Sequence, residues 1–229
     1  MLKNFLNNYI TRLKGDDYII DDRVPGFYLI NLVSDRVVMK VRGFFSGIKS
    51  ANTAFIGKRV KIKVASKLRA GKNLSIGTNC YIDALSENGI LLGDNVSIGR
   101  NTIIECTGNL KYLGKGLKVG NNVGLGSDNF FGCAGGIEID DDTIVGNFVS
   151  FHAENHVFSN RHILVRLQGV THLGIKIGKN CWIGAKATIL DGAVVQDGCI
   201  IAAGAVLNQG VYESNGIYGG VPAKLIKNK

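Results

Sequence analysis

The 229 residues include 31 Gly and only 2 Pro, and 27 Lys and Arg outweigh 18 Asp and Glu to give a formal charge of +9. No G-X-Y period accompanies the glycine, which excludes collagen, and no apolar run reaches the roughly 18 residues of a spanning helix. The basic residues are dispersed and no helix-turn-helix, zinc-finger or aromatic ribonucleoprotein motif is present, so a small polyanionic ligand explains the charge better than nucleic acid does.

Residues 1–56 form a front end with helical patterning. In MLKNFLNNYITRLK, Leu2, Phe5, Leu6, Tyr9, Ile10 and Leu13 fall at helical spacing. After Pro25, Ile30, Val33, Val37, Val41 and Phe44 fall on one side of a second helix, interrupted by Asp35, Arg36, Lys40 and Arg42. Two uses suit such a segment: a helical cap over the rest of the chain, or a basic amphipathic surface laid on a membrane through residues 26–46. The cap is preferred, because a stack of repeats needs its first unit covered. The N-terminus lacks the apolar region of a signal peptide, which points to the cytoplasm, with the inner face of the membrane as the alternative site.

From residue 57 onward a period of six takes over. Ile177, Ile183, Ile189, Val195, Ile201 and Leu207 are all large aliphatics, and two residues before each, from the second onward, stand Cys181, Ala187, Ala193, Cys199 and Ala205. The frame also holds Ile76 and Ile82, then Leu92, Ile98 and Ile104, then Val119, Leu125 and Phe131, then Ile139, Val145 and Phe151. Six matches neither a helix nor a simple strand alternation. It describes a solenoid of three-faced coils, with the large residue pointing in, a small residue near the corner and a glycine or polar residue in the turn. The five cysteines are odd in number, lack a C-x-x-C pair and read as packed thiols.

The period breaks four times. Ile82 to Leu92 spans ten residues, Ile104 to Val119 fifteen, Phe131 to Ile139 eight and Phe151 to Ile177 twenty-six. The last break, a loop over residues 152–174, holds every histidine of the chain: His152, His156, His162 and His172. Loops of that length in compact proteins are functional or disordered, and Phe158, Ile163, Leu164, Val165, Leu167 and Val170 make this one too apolar for a solvated tail.

These features resemble the hexapeptide-repeat family over about residues 57–229. The phrases AENHVFSN, CWIGAKATIL, IIAAGAVL and YGGVPAKLI stand in order and in phase, as in its sugar and polysaccharide O-acetyltransferases. The resemblance implies an all-β left-handed parallel β-helix with a helical N-terminal extension, a catalytic loop at 152–174 and a C-terminal segment at 208–229. It further implies acetyl transfer from acetyl-CoA to a sugar hydroxyl, without a metal, in a homotrimer with sites between subunits. His156 matches the general base, which suits a group with an ordinary pKa of about 6.5. Asn129, Asn155 and Trp182 match acceptor-side positions, Trp182 serving a neighbouring subunit. Ala185, Ala203, Gly204, Asn208, Lys224 and Lys227 match the coenzyme path, with the Ala185 N–H facing the developing oxyanion.

Several residues keep a plainer reading. Asn129 equally suits the capping of a corner turn, Glu154 a loop charge, His152 a turn, and His162 and His172 loop packing. Two other activities stay open: N-acetylation of a nucleotide-linked amino sugar, and a zinc enzyme like the γ-class carbonic anhydrases. The second is disfavoured because the chain has H-x3-H at His152 and His156 where that class has H-x4-H.

Overall fold

The computed structural model describes residues 2–14, 19–50 and 54–229. Short strands stack into a three-sided prism. Its first face is an eight-stranded parallel sheet, its second a nine-stranded and its third a seven-stranded sheet, and consecutive strands of the chain lie on consecutive faces. The winding is that of a left-handed parallel β-helix. The fifth coil is typical: Ile137–Ile139 on the first face, Ile144–Val145 on the second and Ser150–His152 on the third.

The six-residue frame is the inner lining. Every large residue of the frame is buried, and so are Cys181, Ala187, Ala193, Cys199 and Ala205. All five cysteines are buried and unpaired, and burial pushes the Cys181 thiol up to about 11. On the third face Phe131 and Phe151 stack inside the prism, with ring centroids 4.7 Å apart.

The corners are built by two devices. Asn73, Asn95, Asn122 and Asp142 take the left-handed conformation, with φ between 56° and 59°. Asn and Asp tolerate this region better than other residues that have a Cβ. Their side chains bond upward in a ladder: Asn73 to Asn95 at 2.9 Å, Asn95 to Asn122 at 2.8 Å and Asn122 to Asp142 at 2.9 Å. A second ladder runs from Asn79 through Asn101 to Asp128. Each ends on a carboxylate, which only accepts. The glycine next to the large residue has another purpose than the turn expected of it. A Cβ on Gly99 would stand 2.4 Å from the Gly126 carbonyl oxygen of the next coil, so this glycine permits close stacking.

The prism begins earlier than residue 57. Lys49–Ser50 already pairs with Leu68–Ala70, and Phe55–Ile56 pairs with Ser75–Ile76. Before it come helix α1 (Leu2–Lys14) and helix α2 (Gly26–Phe44). The side chains of Leu2, Tyr9 and Leu13 lie outside the described residues. Helix α2 packs on the strand Phe55–Ile56. Its Arg36 donates to Ser75 Oγ at 3.0 Å and sits over the Phe55 ring. At the other end Gly210–Tyr212 and Gly216–Gly219 form the last coil, and Lys224–Asn228 folds back antiparallel on the second face.

Candidate functional site

All four breaks in the period fall at one corner, where the third face turns into the first. The longest excursion leaves after His152, which is still part of the third-face strand and not of a turn. It rises as a two-stranded antiparallel ribbon, Asn155 opposite Thr171 and His156 opposite Val170. Beyond the ribbon Gln168 fastens the tip. Its Nε2 donates to the carbonyls of Asn160 at 2.8 Å and Ile163 at 2.7 Å, and its Oε1 accepts from the Asn160 N–H at 3.0 Å.

The foot of the ribbon is set by Asp191, a residue that the repeat pattern hides. Its carboxylate is buried and accepts three bonds: from Thr171 Oγ1 at 2.8 Å, the Leu173 N–H at 3.1 Å and the Gly174 N–H at 2.7 Å. A buried carboxylate is tolerated when its lone pairs are filled in this way. In sequence Asp191-Gly192 looks like one more corner turn. Glu154, read in the sequence as a loop charge, meets His172 across the same foot, Oε2 to Nε2 at 2.7 Å.

The four histidines therefore occupy four settings. His156 stands exposed on the ribbon with Asn155, and no side chain among the described residues bonds its ring. His172 is tied to Glu154, and His162 sits exposed in the tip turn, its N–H on Asn160 Oδ1. His152 points outward from the third face between Gly132 and Leu190, against the Phe130 ring at 5.4 Å, and burial pushes its pKa down. Among the described residues no three His, Cys, Asp or Glu side chains converge to hold a metal.

Asn129 takes its corner-capping role. It is buried, its Nδ2 donates to the Gly146 carbonyl at 2.9 Å, and its Oδ1 accepts the Val149 N–H at 2.7 Å. These are the bonds of a corner cap, the plainer of the two readings that its sequence position offers.

A cavity of about 410 Å³ opens at the foot of the loop. The short corner at Gly135 and Gly136 floors it, between the longer excursions 106–116 and 153–174, and Leu173, Lys115, Lys118 and Lys176 line it. Lys115 Nζ donates to the His172 carbonyl at 3.1 Å and so braces the loop. The volume falls in the range of small-molecule sites.

The other predicted residues lie elsewhere on the prism. Trp182 projects from the second face, 54% exposed, beside exposed Ile144. In a triangular prism that face lies opposite the corner that carries His156. Ala185 and Ala203–Gly204 are exposed at the corner where the second face ends, stacked one above the other, with the Gly204 N–H on the Ala185 carbonyl at 2.9 Å. Lys224 and Lys227 stand exposed on the final strand of that second sheet. Asn208 is a full face away, at the end of the third. One chain thus brings Trp182, Ala185, Ala203, Gly204 and the two lysines to one side, and His156 and Asn155 to another.

Two family models match the chain. Residues 174–209 match the bacterial transferase hexapeptide (six repeats), and residues 69–106 match the hexapeptide repeat of succinyl-transferase. Both stretches carry the hexapeptide repeat of these transferase families. No curated sequence matches it. Among solved structures it is similar to a point mutant of AntD, an N-acyltransferase from Bacillus cereus in complex with dTDP-4-amino-4,6-dideoxyglucose and coenzyme A. The identity is 16%, over 81% of this chain and 87% of that one, with a TM-score of 0.53. A second AntD mutant, with dTDP and coenzyme A, gives 17% identity over 80% and 82% of the two chains, and a TM-score of 0.51. A maltose O-acetyltransferase from Clostridium difficile 630 gives 17% identity over 99% and 86%, with a TM-score of 0.43. At these identities the likeness is one of fold.

Proposed function

We propose that this transferase is an acetyl-CoA-dependent O-acetyltransferase that modifies a sugar hydroxyl of a surface polysaccharide or its precursor, with His156 as general base. The observation that carries the reading is the placement of His156: an exposed imidazole on a ribbon rooted by the buried Asp191 carboxylate, whose foot at Leu173 and Gly174 borders a cavity of about 410 Å³.

In this reading His156 takes the proton of the acceptor hydroxyl as its oxygen attacks the thioester carbonyl. The C–O bond forms, the negative charge moves onto the former carbonyl oxygen, and the Ala185 N–H faces it. Collapse breaks the C–S bond, and the imidazolium returns its proton to the departing sulfur. The exposed column of Ala185 and Ala203, which has no large side chain to block a close approach, suits the pantetheine arm. Lys224 and Lys227 suit the phosphates; Asn208 lies at the corner that carries the loop and, like His156, would reach that path from the neighbouring copy.

Because His156 and the Trp182 side stand on opposite parts of the prism, a complete site takes His156 from one copy and Trp182 from the next, in a homotrimer. The exposed Phe158, Leu164 and Leu167 of the loop give the neighbour an apolar surface to meet. Acetyl-CoA use and free buried thiols fit a cytoplasmic enzyme.

The second reading is N-acylation of an amino sugar on a nucleotide. The AntD complexes favour it, and so does the cavity lining, where three lysines outnumber the one carboxylate, Glu138. Two experiments separate the readings. Neutral hydroxyl sugars, amino sugars and nucleotide-linked amino sugars are offered with acetyl-CoA, and the O-acetyl reading requires turnover on a hydroxyl acceptor. Co-expressed His156→Ala and Trp182→Ala chains then report the shared site. Activity well above that of either variant alone supports it, and no recovery removes it.

A further inference from the structure

We infer that helix α2 seats the protein on an anionic lipid surface. The inference does not rest on the reaction. With about 100° between successive residues, Ile30, Val37, Val41 and Phe44 fall along one line of the helix, with Phe27 and Val38 beside it. All six are exposed: Phe27 69%, Ile30 60%, Val37 56%, Val38 45%, Val41 54% and Phe44 81%. The helix turns a different side to the rest of the chain: Leu29 is buried there, Arg36 reaches Ser75, and Gly43 comes close to the Ala54 carbonyl.

The outer face of a solenoid cap is ordinarily polar. Here the cap does its work with one side and leaves the more apolar side uncovered. An exposed face this apolar, with Ser34 its one polar side chain, marks a contact with a partner or a membrane. Its edges say which. Lys40 borders the stripe on one side and Arg42 on the other, and Asp35 is the single acidic residue of the helix. Phe44 and Phe45 meet edge to face at 5.2 Å and are 81% and 80% exposed, an aromatic wedge at the end of the stripe. A copy of the same helix would bring one acidic residue, Asp35, to these cations, whereas anionic headgroups complement them all. The helix lies on the surface, since no helix among the described residues is long and apolar enough to cross a membrane.

The test is sedimentation of the full chain with phosphatidylcholine vesicles, with and without phosphatidylglycerol. The wild type is expected to sediment with the anionic vesicles and to stay largely in solution with the neutral ones. Val37→Asp with Val41→Asp should weaken the binding at least tenfold, and Lys40→Glu with Arg42→Glu should abolish the anionic preference. All four side chains are exposed, and unchanged circular dichroism and melting temperature confirm that the variants fold. Wild-type protein that stays in solution, or binding that the Val37 and Val41 substitutions leave intact, overturns the inference. If those substitutions instead lower the molecular mass in vesicle-free buffer, the face belongs to a second copy and the lipid assignment is wrong.

Discussion

The walls of the prism and its loop-bearing corner are made under opposite constraints. Along the walls every sixth residue faces a closed interior, where the lining is buried and neighbouring coils stand one strand spacing apart. At the corner between the third and first faces, connections range from the two residues 191–192 to the twenty-two residues 153–174. The walls tolerate almost no change of volume, while the corner tolerates almost any length. Stability is invested in the first, and chemistry is free to accumulate at the second.

The sharpest way to separate the two is at His156. Replacement by Ala should lower kcat by about 10² to 10⁴, with little change in melting temperature, because the ring is exposed and bonds nothing in its own chain among the described residues. Calorimetry should find coenzyme affinity nearly unchanged. A variant with full activity would falsify the general-base assignment. Phe151→Ala should do the reverse. It removes one ring of the stacked pair inside the wall and should cost about 3–5 kcal/mol in denaturant unfolding. The fraction that remains folded should keep its KM for acetyl-CoA. A cost below about 1 kcal/mol would mean that the interior relaxes around the void, and the contrast between wall and corner would blur.

Asp191 sits on the boundary between the regions. It belongs to the wall by position and to the loop by its bonds. Asp191→Asn replaces one acceptor with an NH2 group facing N–H donors, so about 1–3 kcal/mol of stability should be lost. Activity should also fall, by about tenfold, as the ribbon loses its root. Thermal melts and steady-state kinetics on the same sample test both. Loss of stability with kcat intact would show that the ribbon holds its place without the carboxylate.

These residues also mark where the sequence could be read and where it could not. The inner lining was legible because a closed interior forces a strict period, and the break at Phe151 located the loop because that period failed there. Asp191 stayed hidden because Asp-Gly is what an ordinary corner looks like; only the chain seventeen to twenty residues upstream reveals what it bonds. Asn129 could be read two ways, since an amide at a corner serves a cap or a ligand equally until its burial is known. The start of the prism lies upstream of the point where the period becomes visible, because Lys49–Ser50 and Phe55–Ile56 carry too few repeats to show it, although they pair in register with later coils.

His152 gives the smallest and most discriminating test, since it sits on the wall, four residues before the ribbon's own histidine. Burial holds its pKa below the ordinary value of about 6.5. Between those two values the unfolded chain binds more protons than the folded one, so stability rises with pH there. The contribution is present in full above about pH 6.5 and is lost as the pH falls towards and through the depressed value. His152→Gln removes it: wild-type and variant melting temperatures should run parallel above about pH 7 and converge or cross below about pH 6. The acid limb of the kcat/KM profile should be the same in wild type and variant if the proposed base His156, and not His152, takes the substrate proton. Were that limb to move with His152→Gln, the wall histidine would share the proton transfer, and the division between a structural wall and a chemical corner would fail at the third face.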